Sequence, residues 1–226
     1  TMEAIGMACQ EGGPLRGLVK PVVVVASRDV IEGIAKAEKL GTPVEIVLRK
    51  NFPKGKEGVE LYGKALLEVL SRYEPDVVTL NGFLAQVSEE VIVAYEGRIF
   101  NQHPGPVPEF GGEGMFGRRV HAAVLIFNRL TQRRPQYTEV IAQSVHPQYD
   151  RGAVLKWALV AINPTDTVDS LQKRALLAEH QVQIDLLKDI ALSTIETIPR
   201  EVYVKPGEEA VLFLAREAAK ALYPQG

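Results

Sequence analysis

Along the first hundred positions, short β-branched runs alternate with longer stretches in which apolar residues recur every three or four places. Val22–Ala26 is a continuous apolar run between Pro21 and Ser27-Arg28-Asp29, and it reads as a buried strand leading into a helix. That helix is expected from Val30 to Leu40, with Ser27 or Asp29 as its cap, Ile31, Ile34, Ala35 and Ala37 on its packed face, and Gly41 at its end. Pro43–Leu48 follows as a strand, Val59–Tyr73 as a helix stopped by Pro75, and Val77–Asn81 as a third strand. Ser88-Glu89-Glu90-Val91 opens a short helix, Gly97 breaks it, and Ile99-Phe100-Asn101 forms a fourth strand.

Beyond the Gly/Pro-rich stretch from Pro104 to Gly117 the pattern predicts a helix from Arg118 to Leu130. Two alternating strands then follow, Tyr137–Val145 and Ala153–Val160, joined by the loop from His146 to Gly152. A long helix launched at Pro164, capped by Thr165 or Asp166, runs to about Leu192, and the tail holds a strand-like Glu201–Lys205, a Pro206-Gly207 turn and a helix from Ala210 to Leu222. The order implies an α/β fold: a doubly wound, mostly parallel sheet with helices on both faces, and an antiparallel extension in the C-terminal part. Residues 1–195 are expected to form one catalytic domain and residues 196–226 a C-terminal extension.

Composition narrows the functional classes. The chain has 226 residues, 46% of them hydrophobic, and a formal net charge of −2, so nothing in the bulk charge draws it to nucleic acid. Arg118-Arg119 and Arg133-Arg134 are the candidate basic patches, and solvated surface is the simpler reading of both. One cysteine, Cys9, allows neither an internal disulfide nor a cysteine-rich zinc site, and the histidines His103, His121, His146 and His180 lack metalloprotease spacing. No metal is expected. No run approaches the ~20 apolar residues of a membrane span, and a cytoplasmic protein without a membrane or nucleic-acid partner is expected; a homodimer is compatible with the sequence.

Candidate chemistry gathers at the end of the fourth strand. Asn101 and His103 share one side of an extended chain, because strand side chains alternate with period two. An amide and an imidazole so placed can both donate to an oxygen that gains negative charge during acyl transfer; the plainer alternative is that they satisfy backbone groups where the loop turns. Asp150, two residues before Gly152, could point at the imidazole and favour its charged form, or could be an ordinary turn aspartate. Glu179 lies in the long helix beside Leu176, Leu177 and Val182, which are expected to set its buried face, and there it either binds a substrate amine or hydroxyl or sits on a solvated flank. Gly111-Gly112-Glu113-Gly114 lacks the preceding strand of a phosphate-binding fingerprint, and no Gly-x-Ser-x-Gly elbow is present.

The series Asn101-Gln102-His103-Pro104, Asp150-Arg151-Gly152, Asp166-Thr167 and Glu179-His180 resembles the 10-formyltetrahydrofolate-dependent formyltransferases, a Rossmann-related family. Pro75–Phe83 and Gly97–Asn101 add to the likeness, which covers roughly residues 1 to 192. The resemblance implies transfer of a formyl group from 10-formyltetrahydrofolate, as co-substrate, to the amine of glycinamide ribonucleotide through a tetrahedral intermediate. It implies His103 as general acid and oxyanion donor, Asn101 as its partner and Asp150 as the group that tunes it. Leu84, Ala85, Gln86 and Val87 match the segment lining the folate pocket, and His146, Tyr149 and Asp150 the pterin-facing loop. Thr1, Pro104 and Glu179 fall on the nucleotide side; Thr1 would be the last residue of the family's phosphate loop, with the first strand expected upstream. Gly105 stands where relatives carry serine, and Ala85 where many carry arginine. Formyl transfer to methionyl-tRNA or to an amino sugar nucleotide, hydrolysis of the formylfolate, and a non-catalytic folate- or nucleotide-binding module are the alternatives.

Overall fold

The computed structural model describes residues 1–132 and 136–226, so the Arg133-Arg134 pair lies outside the described residues. In chain order the elements are α1 (Met2–Ala8), β1 (Val24–Ala26), α2 (Glu32–Lys39), β2 (Val44–Ile46), α3 (Gly55–Tyr73), β3 (Val78–Leu80), α4 (Glu89–Ala94), β4 (Ile99–His103), α5 (Arg118–Thr131), β5 (Tyr137–Ser144), β6 (Val154–Ala161), α6 (Val168–Ala191) and α7 (Glu209–Leu222). They fall into two compact units, Thr1–Asn101 with Leu187–Thr194, and Gln102–Leu186 with Ile195–Gly226.

In the first unit β1 runs parallel to β2 with Val24 opposite Val44, and β3 runs parallel to β4 with Leu80 opposite Asn101. Parallel pairing fits the continuous apolar run Val22–Ala26 that ends in β1, whereas β2 includes Glu45 and β4 ends in Asn101-Gln102-His103. The two pairs belong to separate ladders, and β1 and β3 both line a cavity of about 530 Å³ closed by Ile5 of α1, Leu66 and Leu70 of α3, and Leu187 of α6. Consecutive residues of both runs, Val22–Ala26 and Val77–Asn81, reach this cavity, so it lies along strand edges rather than against one face. α4 sits close on α3, because a Cβ at Gly63 would stand 1.9 Å from the Ser88 hydroxyl that caps α4.

Four features of the helices depart from the sequence pattern. α1 was not foreseen, and α2 starts at Glu32 behind Ile31 with no side-chain cap, since Asp29 pairs instead with Lys50 at 2.6 Å. The cap of α6 is Thr167 rather than Thr165 or Asp166: its hydroxyl accepts from Ser170 N at 3.1 Å while Ser170 Oγ accepts from Thr167 N at 3.0 Å. Asp166 instead receives both ends of the Arg174 guanidinium, at 2.6 and 2.8 Å, which together with backbone and Ser170 donors holds its carboxyl down at about 2. The buried stripe of α6 is Leu171, Ala175, Val182 and Leu186, whereas Leu176 and Leu177 face outward, 41% and 70% exposed.

In the second unit β5 and β6 pair antiparallel, Tyr137 opposite Ala161, and the register skips Leu155 between the Ala142 and Gln143 pairs. α5 is buried along most of its length, from Val120 to Asn128. The segment after Ile195 is packed into this unit. Glu201–Lys205 is not a strand: Tyr203 donates its backbone N–H to the Glu109 carboxylate at 2.7 Å instead of to a ladder. Its ring packs edge-on against Phe110 and Tyr137, with centroids 5.6 and 5.4 Å apart, and its hydroxyl donates to the Tyr137 carbonyl.

Arg200 joins this tail to the loop after β4. Its guanidinium donates to Glu139 of β5, to Glu109 at 3.3 Å and to the Val107 carbonyl at 2.6 Å, with all three charged side chains under a tenth exposed. Arg119, expected as solvated surface, also serves the tail, donating to the carbonyls of Gly114, Tyr223 and Pro224. Removing one partner of a buried ion cluster strands the others, so Arg200→Met is expected to lower unfolding stability by about 3–5 kcal/mol. The check is a shift of the urea midpoint at unchanged m-value.

Candidate active site

β4 stays extended through His103, which sends Asn101 and His103 to one side of the strand and Gln102 to the other. His103 is 3% exposed. Its Nδ1 stands 3.0 Å from the Gly105 carbonyl, and a carbonyl can only accept, so Nδ1 carries a hydrogen and Nε2 is the nitrogen left for chemistry. Nε2 is buried without a hydrogen-bond partner and lies 3.7 Å from Asp150 Oδ2. Gly105 packs tightly under the turn, since a Cβ there would come within 2.5 Å of Val120.

Asp150 takes the left-handed conformation, with φ +54°, in a loop whose closure needs a glycine: a Cβ at Gly152 would meet the Ser144 carbonyl at 1.7 Å. Donors hold its carboxylate at both oxygens. Gln143 Nε2 reaches Oδ1 at 2.8 Å, and the Gly112 backbone N–H reaches Oδ2 at 2.8 Å. Gly111 leaves the room for this, because its Cβ would stand 2.6 Å from the Asp150 Cβ. The glycine run is therefore a seat for a carboxylate, a use its sequence does not signal.

On the other side of β4, Gln102 Nε2 donates to Glu179 Oε2 at 3.1 Å. Burial pushes the Glu179 carboxyl up to about 7, which sets its change of charge near neutrality. Behind His103, His121 on α5 is 1% exposed with Nδ1 unpartnered, and burial, followed by the charge of His103, pushes its imidazole down to about 4.

The remaining sequence-named residues are placed as follows. Leu84–Val87 form an irregular stretch with Leu84 48% exposed, and among the described residues their backbone groups make no backbone–backbone hydrogen bond. Such a segment can pair with the polar edge of a flat heterocycle. His146 is exposed, its Nδ1 accepting from Gln148 N at 3.1 Å. Tyr149 is 46% exposed, and burial with the charges of Glu113 and Asp150 raises its hydroxyl. Pro104 is half-buried, Asn101 closes the pairing of β4 with β3, and Thr1 precedes α1, its carbonyl accepting from Ile5 N at 3.0 Å. His103, Asp150 and, across the strand, Glu179 thus fall within the second unit; Thr1, Leu84–Val87 and Asn101 belong to the first. Sequence reasoning missed Gln143, Gln102, His121 and the Gly112 N–H. The one available signal was an amide, Gln143, inside the apolar run of β5.

Among the described residues no cluster of three His, Cys, Asp or Glu side chains could hold a metal ion, and no helix is long and apolar enough to cross a membrane. A family model described as formyl transferase matches residues 1–187. The chloroplastic phosphoribosylglycinamide formyltransferase of Arabidopsis thaliana is 32% identical over 177 residues, 77% of this chain and 57% of the relative. The crystal structure of phosphoribosylglycinamide formyltransferase from Brucella melitensis is 28% identical with a TM-score of 0.68, covering 87% of this chain and 92% of that one. That of glycinamide ribonucleotide transformylase 1 from Symbiobacterium toebii, 22% identical with a TM-score of 0.70 over 88% of each chain, shares the fold. The chain spans about half the length of the curated plant relatives it matches.

The buried His121 gives a pH signature. Its imidazole binds a proton near 6.5 in the unfolded chain and only near 4 in the folded one, so folding stability falls as pH drops from about 6.5 to about 4, by about 3 kcal/mol. His121→Leu is expected to flatten that slope in urea titrations at successive pH values; an unchanged slope would show that another group carries it.

Proposed function

The chain belongs to the formyl transferase family, and from that premise we propose that it transfers the formyl group of 10-formyltetrahydrofolate to the amine of glycinamide ribonucleotide, a step of purine synthesis. The observation that carries the reading is a buried imidazole with one nitrogen tied to the Gly105 carbonyl and the other 3.7 Å from a doubly held carboxylate. The relatives named above supply the choice of donor and acceptor.

In this reading the amine nitrogen attacks the formyl carbon, the carbonyl π pair moves onto oxygen, and a tetrahedral intermediate forms. Protonated His103 donates from Nε2 to that oxygen, and the Asn101 amide is proposed as the second donor. Asp150, with Oδ2 3.7 Å from Nε2, is given the role of proton partner to that imidazole. As the intermediate collapses the C–N bond to the folate breaks, the folate nitrogen gains a proton, and the amine nitrogen gives one up, with His103 and Asp150 passing protons through water. Fixed donors aimed at a developing oxyanion are worth about 10²–10³ in rate each.

Leu84, Ala85, Gln86 and Val87 are assigned to the folate through their unengaged backbone groups, with His146 and Tyr149 as further contacts. Pro104, Thr1 and Glu179 are assigned to the acceptor. Ionised Glu179 would accept a hydrogen bond from the acceptor's amine or a hydroxyl, with Gln102 holding the carboxylate in place.

The deciding assay mixes protein, 10-formyltetrahydrofolate and glycinamide ribonucleotide and follows the ultraviolet change as the folate loses its formyl group. Acceptor-dependent turnover is expected. Signal without acceptor would mean hydrolysis, and ligand binding without signal a non-catalytic module. His103→Ala and Asp150→Asn should each lower kcat/KM by about 10²-fold or more; near-parental rates in both would overturn the assigned roles. Because Glu179 ionises near 7, kcat/KM for the acceptor should rise as pH climbs through that value, and Glu179→Gln should remove this part of the profile.

A further inference from the structure

Gln143 reaches Asp150 from the strand that precedes the loop, and it is 1% exposed. Its terminal nitrogen donates to Oδ1 at 2.8 Å while its carbonyl oxygen is buried without a partner. The orientation of the amide is fixed by chemistry, since a carboxylate accepts and only the NH₂ end can donate. A buried amide that leaves its own oxygen unsatisfied forgoes a hydrogen bond, and it does so here in order to face Asp150. The ladder slips at this point: Ala142 pairs with Lys156 and Gln143 with Val154, leaving Leu155 out of register. A bulge of this kind twists a strand end and re-aims its side chains.

The other constraints on the carboxylate come from a different segment. Gly112 N–H binds Oδ2, and Gly111 has no side chain because the Asp150 Cβ fills that space. Oδ2 is also the oxygen facing His103 Nε2. We propose that Gln143 is a positioning residue for the transfer reaction. It anchors Oδ1 and, with Gly112, sets the rotation of the carboxylate, so that Oδ2 stays turned to the imidazole while Asp150 keeps its left-handed backbone. This rests on the function proposed above for His103 and Asp150.

The test uses the full chain and three substitutions read by kinetics and by the Gly112 amide proton in NMR, which reports its hydrogen bond to Asp150 without any turnover. Gln143→Leu keeps the bulk and deletes the donor: kcat should fall by about 10²-fold, as expected when a catalytic group is displaced by about an ångström, with both KM values within about twofold and the Gly112 proton moved upfield. Gln143→His restores an N–H at a similar reach and should recover kcat to within about fivefold. Gln143→Glu has the parental shape and sets a carboxyl against a carboxylate, so it should lose at least as much as the Leu variant; if the Leu variant fails to fold, the His and Glu pair decides. Parental kcat with an unmoved Gly112 proton in the Glu variant would overturn the proposal. A Gly112 proton that moves in the Glu variant, in a chain whose parent transfers no formyl group, would keep the clamp and overturn the function instead.

Discussion

A carboxylate whose side chain is 8% exposed remains charged only if donors replace the water it has lost. At Asp150 such donors include Gln143 from β5 and the Gly112 N–H from the loop after β4. The geometry of the second unit follows from bringing both donors to that one group. A left-handed backbone at Asp150, a glycine at Gly152 and a missing Cβ at Gly111 are all conditions for it. His103, its imidazole oriented by the Gly105 carbonyl, faces this carboxylate at 3.7 Å.

A glycine-rich loop cannot hold such a position unaided, since glycine loses more backbone freedom on ordering than any other residue. The tail supplies the restraint. Arg200 grips Val107, Glu109 and Glu139; Arg216 donates to the Glu109 carbonyl at 2.6 Å; Arg119, within α5, holds Gly114 on one side and the carbonyls of Tyr223 and Pro224 on the other. Residues beyond Ile195 thus contact the loop that carries Gly112, and Arg216 also interacts electrostatically with Asp150 itself.

The first unit works by different means. Its paired strands are short and parallel, its interior includes a cavity along strand edges, and Leu84–Val87 is an irregular segment whose backbone groups make no backbone–backbone hydrogen bond among the described residues. Polar atoms free of secondary structure are available to a ligand, whereas those of a ladder are not. Helix packing around them is tight where it matters: Ser88 is pressed against Gly63, fixing the start of α4 just past the segment.

Periodicity in the sequence determined the strands from Val22 to Asn101, the helices between them and the antiparallel pair β5–β6, because burial of continuous or alternating apolar runs is a local property of the chain. The Asn101–His103 spacing was legible for the same reason: period two holds wherever the backbone is extended. Caps were less so, and Asp29 is the example, a good capping residue drawn away by Lys50 twenty-one positions later. The outward turn of Leu176 and Leu177 belongs here too, since several helical stripes in α6 are apolar enough to be buried and only the packing chose one. What tertiary structure alone decided is the pairing of Asp150 with Gln143 and Gly112, the burial that moves Glu179 and His121 away from their ordinary ionisation, and the docking of the tail through Arg200. Each depends on several segments of the chain meeting in a space that water has left, and no local pattern encodes that meeting.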